Sequence, residues 1–292
     1  MSAPANTAAA DFEVHRPRLV RLAYRMLGSL AEADDVAQDA WLRWQGADRA
    51  EIADPAAWLV RTATRLCLDR LRAEKTRREA YRGPWLPEPL IEDLAEDPLE
   101  RADEVSVAFL LALERLSPLE RAVFLLHDVF DADFSAVAET LGRSEAAVRQ
   151  LAVRARDHVR DTRPRFSVGQ EEAARLAMAF MDAARNNDLD GLRSLLAEDA
   201  VLITDGGGKR SAALRPMVGR EDILALFKGL QWRTNWLATP KVRLVRVNGY
   251  LGAILDTEQG PITVAFQPGD GGRLAAIYMV VNPEKLGRVA PA

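Results

Sequence analysis

The chain has 292 residues, with 39 basic and 43 acidic side chains and one cysteine, Cys67. That length predicts two or three domains rather than one, and a lone cysteine excludes a disulfide framework and a cysteine-ligated zinc site, which suits a reducing cytoplasm. No apolar run reaches the roughly 18 residues needed to span a bilayer, the first residues lack the charged-then-apolar order of a secretory signal, and a net charge of −4 argues against an indiscriminate nucleic-acid binder.

Leu19, Leu22, Ala23, Met26, Leu27 and Leu30 recur at helical spacing, and Gly28-Ser29 predicts the end or a kink of that helix. Val36, Ala37, Ala40, Trp41 and Trp44 form the apolar face of a second helix, with Asp34, Asp35, Gln38 and Asp39 opposite or beside it. Asp54-Pro55 predicts a third helix start, with Asp as the cap and Pro in the first turn. This helix runs to about Arg78 and turns Leu59, Ala63, Leu66 and Leu71 inward. Residues 61–82 hold eight basic groups against three acidic ones.

Residues 82–98 read as a linker, with four prolines and many acids. Residues 88–104 hold eight acidic groups and one basic. Trp85 and Leu86 between prolines are unusual for a passive tether, and the plain reading is a Trp capping a local core. No strand pattern appears before residue 165.

Residues 99–160 are helical again. Phe134, Val137, Ala138 and Leu141 make one amphipathic helix, Gly142 breaks it, and Ser144 caps a second helix that buries Ala147, Val148, Leu151, Ala152 and Ala155. A helix-turn-helix needs a small residue where its helices touch, a turn residue that tolerates positive φ, and an apolar wedge in the second helix. Ala138, Gly142 and Val148 supply them at the required spacing, although a plain helical hairpin also fits. Residues 143–163 carry six basic groups against three acidic. Arg143, Arg149, Gln150, Arg154 and Arg156 on or near the second helix favour DNA binding. Arg149 and Gln150 are placed to reach base edges, and Arg154, Arg156 and Arg160 to meet phosphates. Two basic blocks around an acidic connector imply two separate anion-binding elements.

After Pro164 the pattern changes. Helices are predicted over 169–187, 189–198 and 221–229, and strands over 201–204, 212–218, 242–247, 250–255, 262–266 and 274–281, an α+β domain. This part contains no histidine. A general base there would have to be a carboxylate such as Asp182, Asp205, Asp256 or Glu258, and no catalytic residue, metal or cofactor is assigned. Asp205-Gly206-Gly207-Gly208-Lys209 follows a strand and precedes no helix, so it is a poor phosphate loop. It reads either as a hairpin turn or as a receptor for the Trp85–Pro89 segment, since three glycines allow close approach by another backbone.

The strings RLAYRMLGSLAEADDVAQDAWLRW (21–44), AWLVRTATRLCLDRLRAEKTRRE (57–79) and the unit at 134–153 together resemble bacterial RNA polymerase sigma factors of the extracytoplasmic-function (ECF) group. The later residues look like a SnoaL-like, NTF2-type cone domain. WLPEPL (85–90), DGGGK (205–209) and NPEKL (282–286) resemble motifs of the ECF sigma factors that carry such an extension. The resemblance implies a multidomain protein: two all-α sigma domains over 11–80 and 105–163, the second with the helix-turn-helix, joined by an acidic proline-containing linker over 81–104 and followed by an α+β domain over 168–292.

The resemblance also implies roles. Asp34, Asp35, Gln38, Asp39 and Trp41 match the segment that docks on the clamp helices of the polymerase β′ subunit. Arg61, Arg65 and Arg72 match the segment that melts and reads the −10 element, with Trp58 structural. Arg143, Ser144, Arg149, Gln150 and Arg154 match the −35 reader. Trp85, Leu86 and Pro87, the DGGGK turn, and Asn282, Pro283 and Lys285 form an interdomain regulatory contact. The acidic linker, with Glu92, Asp93, Glu96 and Asp97, is expected in the polymerase channel where RNA emerges. The implied partners are core polymerase through β′ and β, promoter DNA, no membrane, and an unspecified small molecule in the C-terminal cavity. The implied function is promoter-specific initiation regulated in cis. The alternatives are a one-component ligand-sensing regulator and an NTF2-type enzyme fused to a DNA-binding module.

Overall fold

The computed structural model describes residues 3–94, 105–160, 169–233 and 241–290. The chain forms two compact units, residues 1–80 with 110–163, and residues 81–109 with 164–292.

The described part of the first unit is helical: α1 (Ala3–Leu27), α2 (Leu30–Gly46), α3 (Pro55–Glu79), α4 (Val107–Glu114, its first three residues counted in the second unit), α5 (Pro118–Phe124), α6 (Phe134–Leu141) and α7 (Glu145–Arg160). Helix α1 ends where Gly28 takes φ 70°, a conformation a side chain would strain. Ser29 then caps α2, its hydroxyl accepting from the Glu32 amide at 3.2 Å. Of the apolar residues the spacing singles out, Leu19, Leu22, Ala23, Met26 and Leu27 on α1 and Val36, Ala37, Ala40 and Trp44 on α2 are buried, whereas Leu30 and Trp41 are only half-buried. Asp54 caps α3 by accepting from Ala57 N at 3.0 Å. Leu59, Ala63 and Leu66 face inward with Cys67, whose thiol is pushed up to about 12 by burial and so stays protonated.

A buried cation ties α5 to the end of α1. Arg121, 3% exposed, donates to the Met26 carbonyl at 2.5 Å and pairs with Glu114 at 2.6 Å. Burial lowers its pKa to about 10, which leaves it charged at neutral pH. Following α5, a π turn over Leu125–Val129 turns His127 onto the Phe134 ring, 3.8 Å between centroids.

The second unit packs α8 (Gln170–Arg185), α9 (Leu189–Leu195) and α10 (Arg220–Arg233) on a sheet of order β1-β4-β5-β6-β7-β2-β3. The strands are β1 (Ile91–Glu92), β2 (Leu196–Asp205), β3 (Met217–Val218), β4 (Lys241–Val247), β5 (Tyr250–Thr257), β6 (Gly260–Pro268) and β7 (Leu274–Val280). All neighbours are antiparallel except β2 and β7, which run parallel. It is the expected α+β domain.

Three local expectations need correction. A strand does occur before residue 165: Ile91 and Glu92 pair with Val247 and Arg246 on the sheet edge. The helix expected over 189–198 stops at Leu195, because Leu196 already pairs with Leu274 of β7, and that pairing outweighs the helical preference of Ala197 and Glu198. The strand expected over 212–218 shrinks to Met217–Val218, because Ala213 N is used up on the Thr204 hydroxyl at 2.8 Å.

The segment from Tyr81 to Leu94 is not a loose tether. Leu86, Pro87, Glu88 and Pro89 are buried, and so is Glu92. Strand pleat explains what they cover. Val264 and Phe266 of β6 and Ile277 and Met279 of β7 face the cavity beneath α8 and α10. The alternate residues Thr263, Ala265, Tyr278 and Val280 face Leu86, Pro87 and Pro89 on the other side. The connector is thus the second layer over the sheet, and Asn248, 1% exposed, fastens it by accepting from Leu90 N at 3.3 Å and donating to Val105 O at 2.9 Å. Of the acidic run, Glu96 and Asp97 lie outside the described residues.

Two glycines separate steric from conformational constraint. A Cβ at Gly252 on β5 would sit 2.3 Å from the Val264 carbonyl oxygen and 2.7 Å from Val247 Cγ2, whereas Gly142 (φ 62°) has nothing within 4 Å. Gly252→Ala is expected to cost up to about 3 kcal/mol through overpacking, and Gly142→Ala about 1 kcal/mol from the left-handed backbone alone. Equal effects in urea unfolding would contradict this.

Candidate functional site

In the first unit, the acidic helix α2 holds most of its carboxylates in place with cations from its neighbours. Arg16 pairs with Asp34 at 3.1 Å. Arg70 of α3 pairs with Asp39 at 2.8 Å, lies 3.8 Å from Asp35, and donates to the Glu32 carbonyl at 2.9 Å. Trp41 is half-buried, its ring 5.2 Å from that of Phe12. The apolar group that reaches solvent is instead Leu42, 56% exposed, on one face with the exposed Asp35 and Gln38 at i, i+3 and i+7. Sequence reasoning passes over Leu42 because Trp41 beside it is the expected aromatic anchor.

On α3, Arg61, Arg65 and Arg72 fall on one stripe at i, i+4 and i+11. Their surroundings differ. Arg65 is exposed, with no ion-pair partner among the described residues. Arg72 pairs with Asp69 at 2.9 Å. Arg61 is bound to Glu139 of α6. Trp58 is half-buried and packs on the buried Trp44, 5.6 Å between ring centroids, a structural contact.

Helices α6 and α7 have the helix-turn-helix geometry that the spacing predicts. Gly142 closes α6 with φ 62°, Ser144 accepts from Ala147 N at 3.3 Å, and Ala138 and Val148 are buried where the helices meet. Arg143, Arg149, Gln150 and Arg154 are exposed. Arg149 is held by Glu145 and by the Phe134 ring, 4.4 Å below its guanidinium. Arg154 pairs with Glu120 at 3.3 Å, and Arg156 with Asp128 at 2.6 Å. Val153, 56% exposed, shares the outward face of Arg149 and Gln150. The helical spacing leaves it off the buried stripe of Val148, Leu151, Ala152 and Ala155, but an exposed valine by itself carries no sign of a role.

In the second unit, the three short strings WLPEPL, DGGGK and NPEKL meet around one carboxylate. Asp205 ends β2 with no exposed surface. Its Oδ1 accepts from the Tyr81 hydroxyl at 2.6 Å, and its Oδ2 from the Leu86 amide at 2.8 Å and the Lys285 ammonium at 2.7 Å. Its carbonyl accepts from Val281 N and Asn282 N, each at 2.9 Å. Lys285 also donates to the Leu86 carbonyl and lies 4.3 Å from the Trp85 ring centroid. Asn282 donates to the Tyr81 hydroxyl at 2.9 Å and caps the short turn that Pro283 opens, accepting from Glu284 N at 3.1 Å.

The glycines make room for this contact. At Gly207 (φ 58°) a Cβ would lie 2.3 Å from Asn282 Nδ2, and at Gly206 2.4 Å from the Arg210 carbonyl oxygen. Gly208 packs against Arg82, and Lys209 pairs at the surface with Glu284 at 3.1 Å rather than joining the cluster. Tyr81 was not foreseen, because a single tyrosine ahead of a proline run carries no pattern. Burial, then the hydrogen bond to Asp205, raise its pKa, so the phenol keeps its proton.

No described helix is long and apolar enough to cross a membrane, and no metal-ligating cluster occurs among the described residues.

Residues 12–77 match the Sigma-70 region 2 family and residues 106–159 the Sigma-70 region 4 family. The chain is 39% identical over 290 residues to the ECF RNA polymerase sigma factor SigJ of Mycobacterium tuberculosis, covering 94% of this chain and 92% of that protein. The crystal structure of M. tuberculosis SigJ superimposes with a TM-score of 0.79 at 37% identity, covering 96% of this chain and 98% of that one. The probable ECF sigma factor SigI of M. tuberculosis is 38% identical over 192 residues, 64% of this chain and 66% of that protein. With two sigma-70 modules in order and a full-length relative at this identity, the chain belongs to the ECF RNA polymerase sigma factors.

Proposed function

We propose that this sigma factor, which binds core RNA polymerase and promoter DNA to direct transcription initiation, divides that work among three surfaces of its first unit and is regulated in cis by its second. A sigma factor is a recognition subunit, and the chain is not an enzyme.

The face of α2 carrying Asp34, Asp35, Gln38, Asp39 and Trp41 docks on the β′ clamp helices, with Leu42 as the apolar anchor. Support comes from its chemistry: an exposed leucine ringed by carboxylates already oriented by Arg16 and Arg70 suits a basic, grooved partner. On α3, the stripe of Arg61, Arg65 and Arg72 meets the −10 region, where cations hold phosphates while bases unstack. On α7, Arg149 and Gln150 read base edges of the −35 element, with Val153 beside them, while Arg143, Ser144 and Arg154 contact its backbone. Each module alone would bind weakly and in a salt-sensitive way. Joining them on polymerase raises the effective concentration of the second contact, so a chain of net charge −4 remains a specific promoter reader. The setting is cytoplasmic.

The observation that carries the regulatory reading is the Asp205 carboxylate. It binds the chain that connects the two sigma modules, and the binding groups come from the turn and the tail of the extension. A change in the extension therefore alters the restraint on the connector.

Leu42→Lys is expected to weaken binding to core polymerase at least about tenfold without changing the helical circular dichroism, since it removes the apolar anchor and sets a cation against a basic partner at a cost of more than about 1.4 kcal/mol; unchanged affinity would refute the docking face. Arg149→Ala should flatten discrimination at one −35 base pair, whereas Arg154→Ala should weaken all sequences alike and lower the salt slope by about one. Identical behaviour of the two variants in titrations of −35 duplexes would undo the division between base and phosphate contacts. Asp205→Ala strands the Lys285 ammonium and should cost about 3 kcal/mol in unfolding. It should also change run-off transcript yield with core polymerase, as should truncation after about residue 280; yields equal to the intact chain would count against regulation in cis.

A further inference from the structure

The second unit encloses a cavity of about 60 Å³ between α8, α10 and the sheet. Its lining is almost wholly apolar. Phe180 packs edge-on against Phe227 (5.6 Å) and tilted against Phe266 (5.5 Å), and the thioethers of Met181 and Met279 close the sides. Methionine side chains shift at low cost, so this part of the wall can adapt to an occupant. None of the histidines, aspartates or glutamates among the described residues lines the cavity, so the wall offers no general base. Among the described residues, Arg185, in the last turn of α8, is the single charged one that lines the cavity, and it is exposed with no ion-pair partner.

An apolar chamber with one cation in its lining selects a molecule with an apolar body and one anionic end. We propose that this cone binds a small amphipathic carboxylate, its hydrocarbon end among Phe180, Phe227 and Phe266 and its carboxylate on Arg185. The volume takes about four to six water-sized groups at roughly 10–15 Å³ each, so the hydrocarbon end of a short chain fits in the chamber while its head reaches the guanidinium. Binding rests on the cone alone. Any consequence for transcription rests in addition on the regulatory reading above.

The test is calorimetric titration of the full-length protein with butyrate, hexanoate and octanoate, and with hexan-1-ol and hexylamine, all below micellar concentrations. Affinity for the acids is expected to rise about fourfold per added methylene while the chain still enters the cone. Hexanoate should exceed hexanol and hexylamine by tenfold or more. Arg185→Gln should abolish the preference for the acid and retain the weak binding of hexanol. Ala184→Leu, which fills the chamber from α8, should abolish binding of all of them; if that variant melts without cooperativity, Arg185→Gln decides alone. Equal binding of acid and alcohol, affinity independent of chain length, undiminished binding to a folded Ala184→Leu protein, or no binding at all would overturn the proposal. None of these outcomes depends on polymerase, so failure here leaves the sigma reading intact.

Discussion

The second unit depends on a carboxylate that water does not reach. Burying an ionised Asp costs several kcal/mol unless its lone pairs are met, and Asp205 meets them with a phenol and a backbone amide from the connector and an ammonium from the tail. The arrangement is mutual. Lys285 would itself be a costly buried cation without Asp205, and it neutralises the charge while gripping the Leu86 carbonyl. Tyr81 and Asn282 complete a ring in which each polar group satisfies another. Removing one member leaves the others unpaired, so the connector, the glycine turn and the tail are energetically one object.

That arrangement explains a feature of the sequence that looked ordinary. The runs YLGAILD, PITVAFQ and LAAIYMVV are apolar without clean alternation, the mark of strands buried on both faces. One face is covered by α8, α9 and α10. The other is covered by Leu86, Pro87 and Pro89 from a stretch whose proline and acid content reads as a linker. Proline has no amide to leave unpaired, and so it is well suited to lying across a sheet face. Composition alone cannot make that distinction, because the prolines that suit a tether also suit a flat covering layer. Glu88 and Glu92, which count as acidic linker in the sequence, are buried for the same reason.

In the first unit the helices were legible because burial follows a 3.6-residue period, and Leu19, Val36, Leu59 and Val148 are all inside where the spacing puts them. The turn was legible because Gly142 must adopt positive φ. What could not be read was the state of the charges. Asp34, Asp39 and Arg61 are paired with residues far away in the chain, and such an ion pair leaves no periodic trace, whereas the pairs of Arg72 with Asp69 and Arg149 with Glu145 stand at helical spacing. Leu42 and Val153 fall off the apolar stripes of their helices, but a single outward apolar residue is common on protein surfaces and marks no site until its neighbours are placed. Net charge misled in the same way, since the acids and bases that cancel in the sum occupy different surfaces.

The central claim is that Asp205 holds the connector, and amide hydrogen exchange at Leu86 reads that bond directly. The Leu86 amide, donated to Asp205 at 2.8 Å and buried, should exchange orders of magnitude more slowly than that of a free chain, and Asp205→Ala should release it while the β6–β7 amides stay protected. A Leu86 amide that exchanges at the free-chain rate in the intact protein, or that stays equally protected in the variant, would contradict the account.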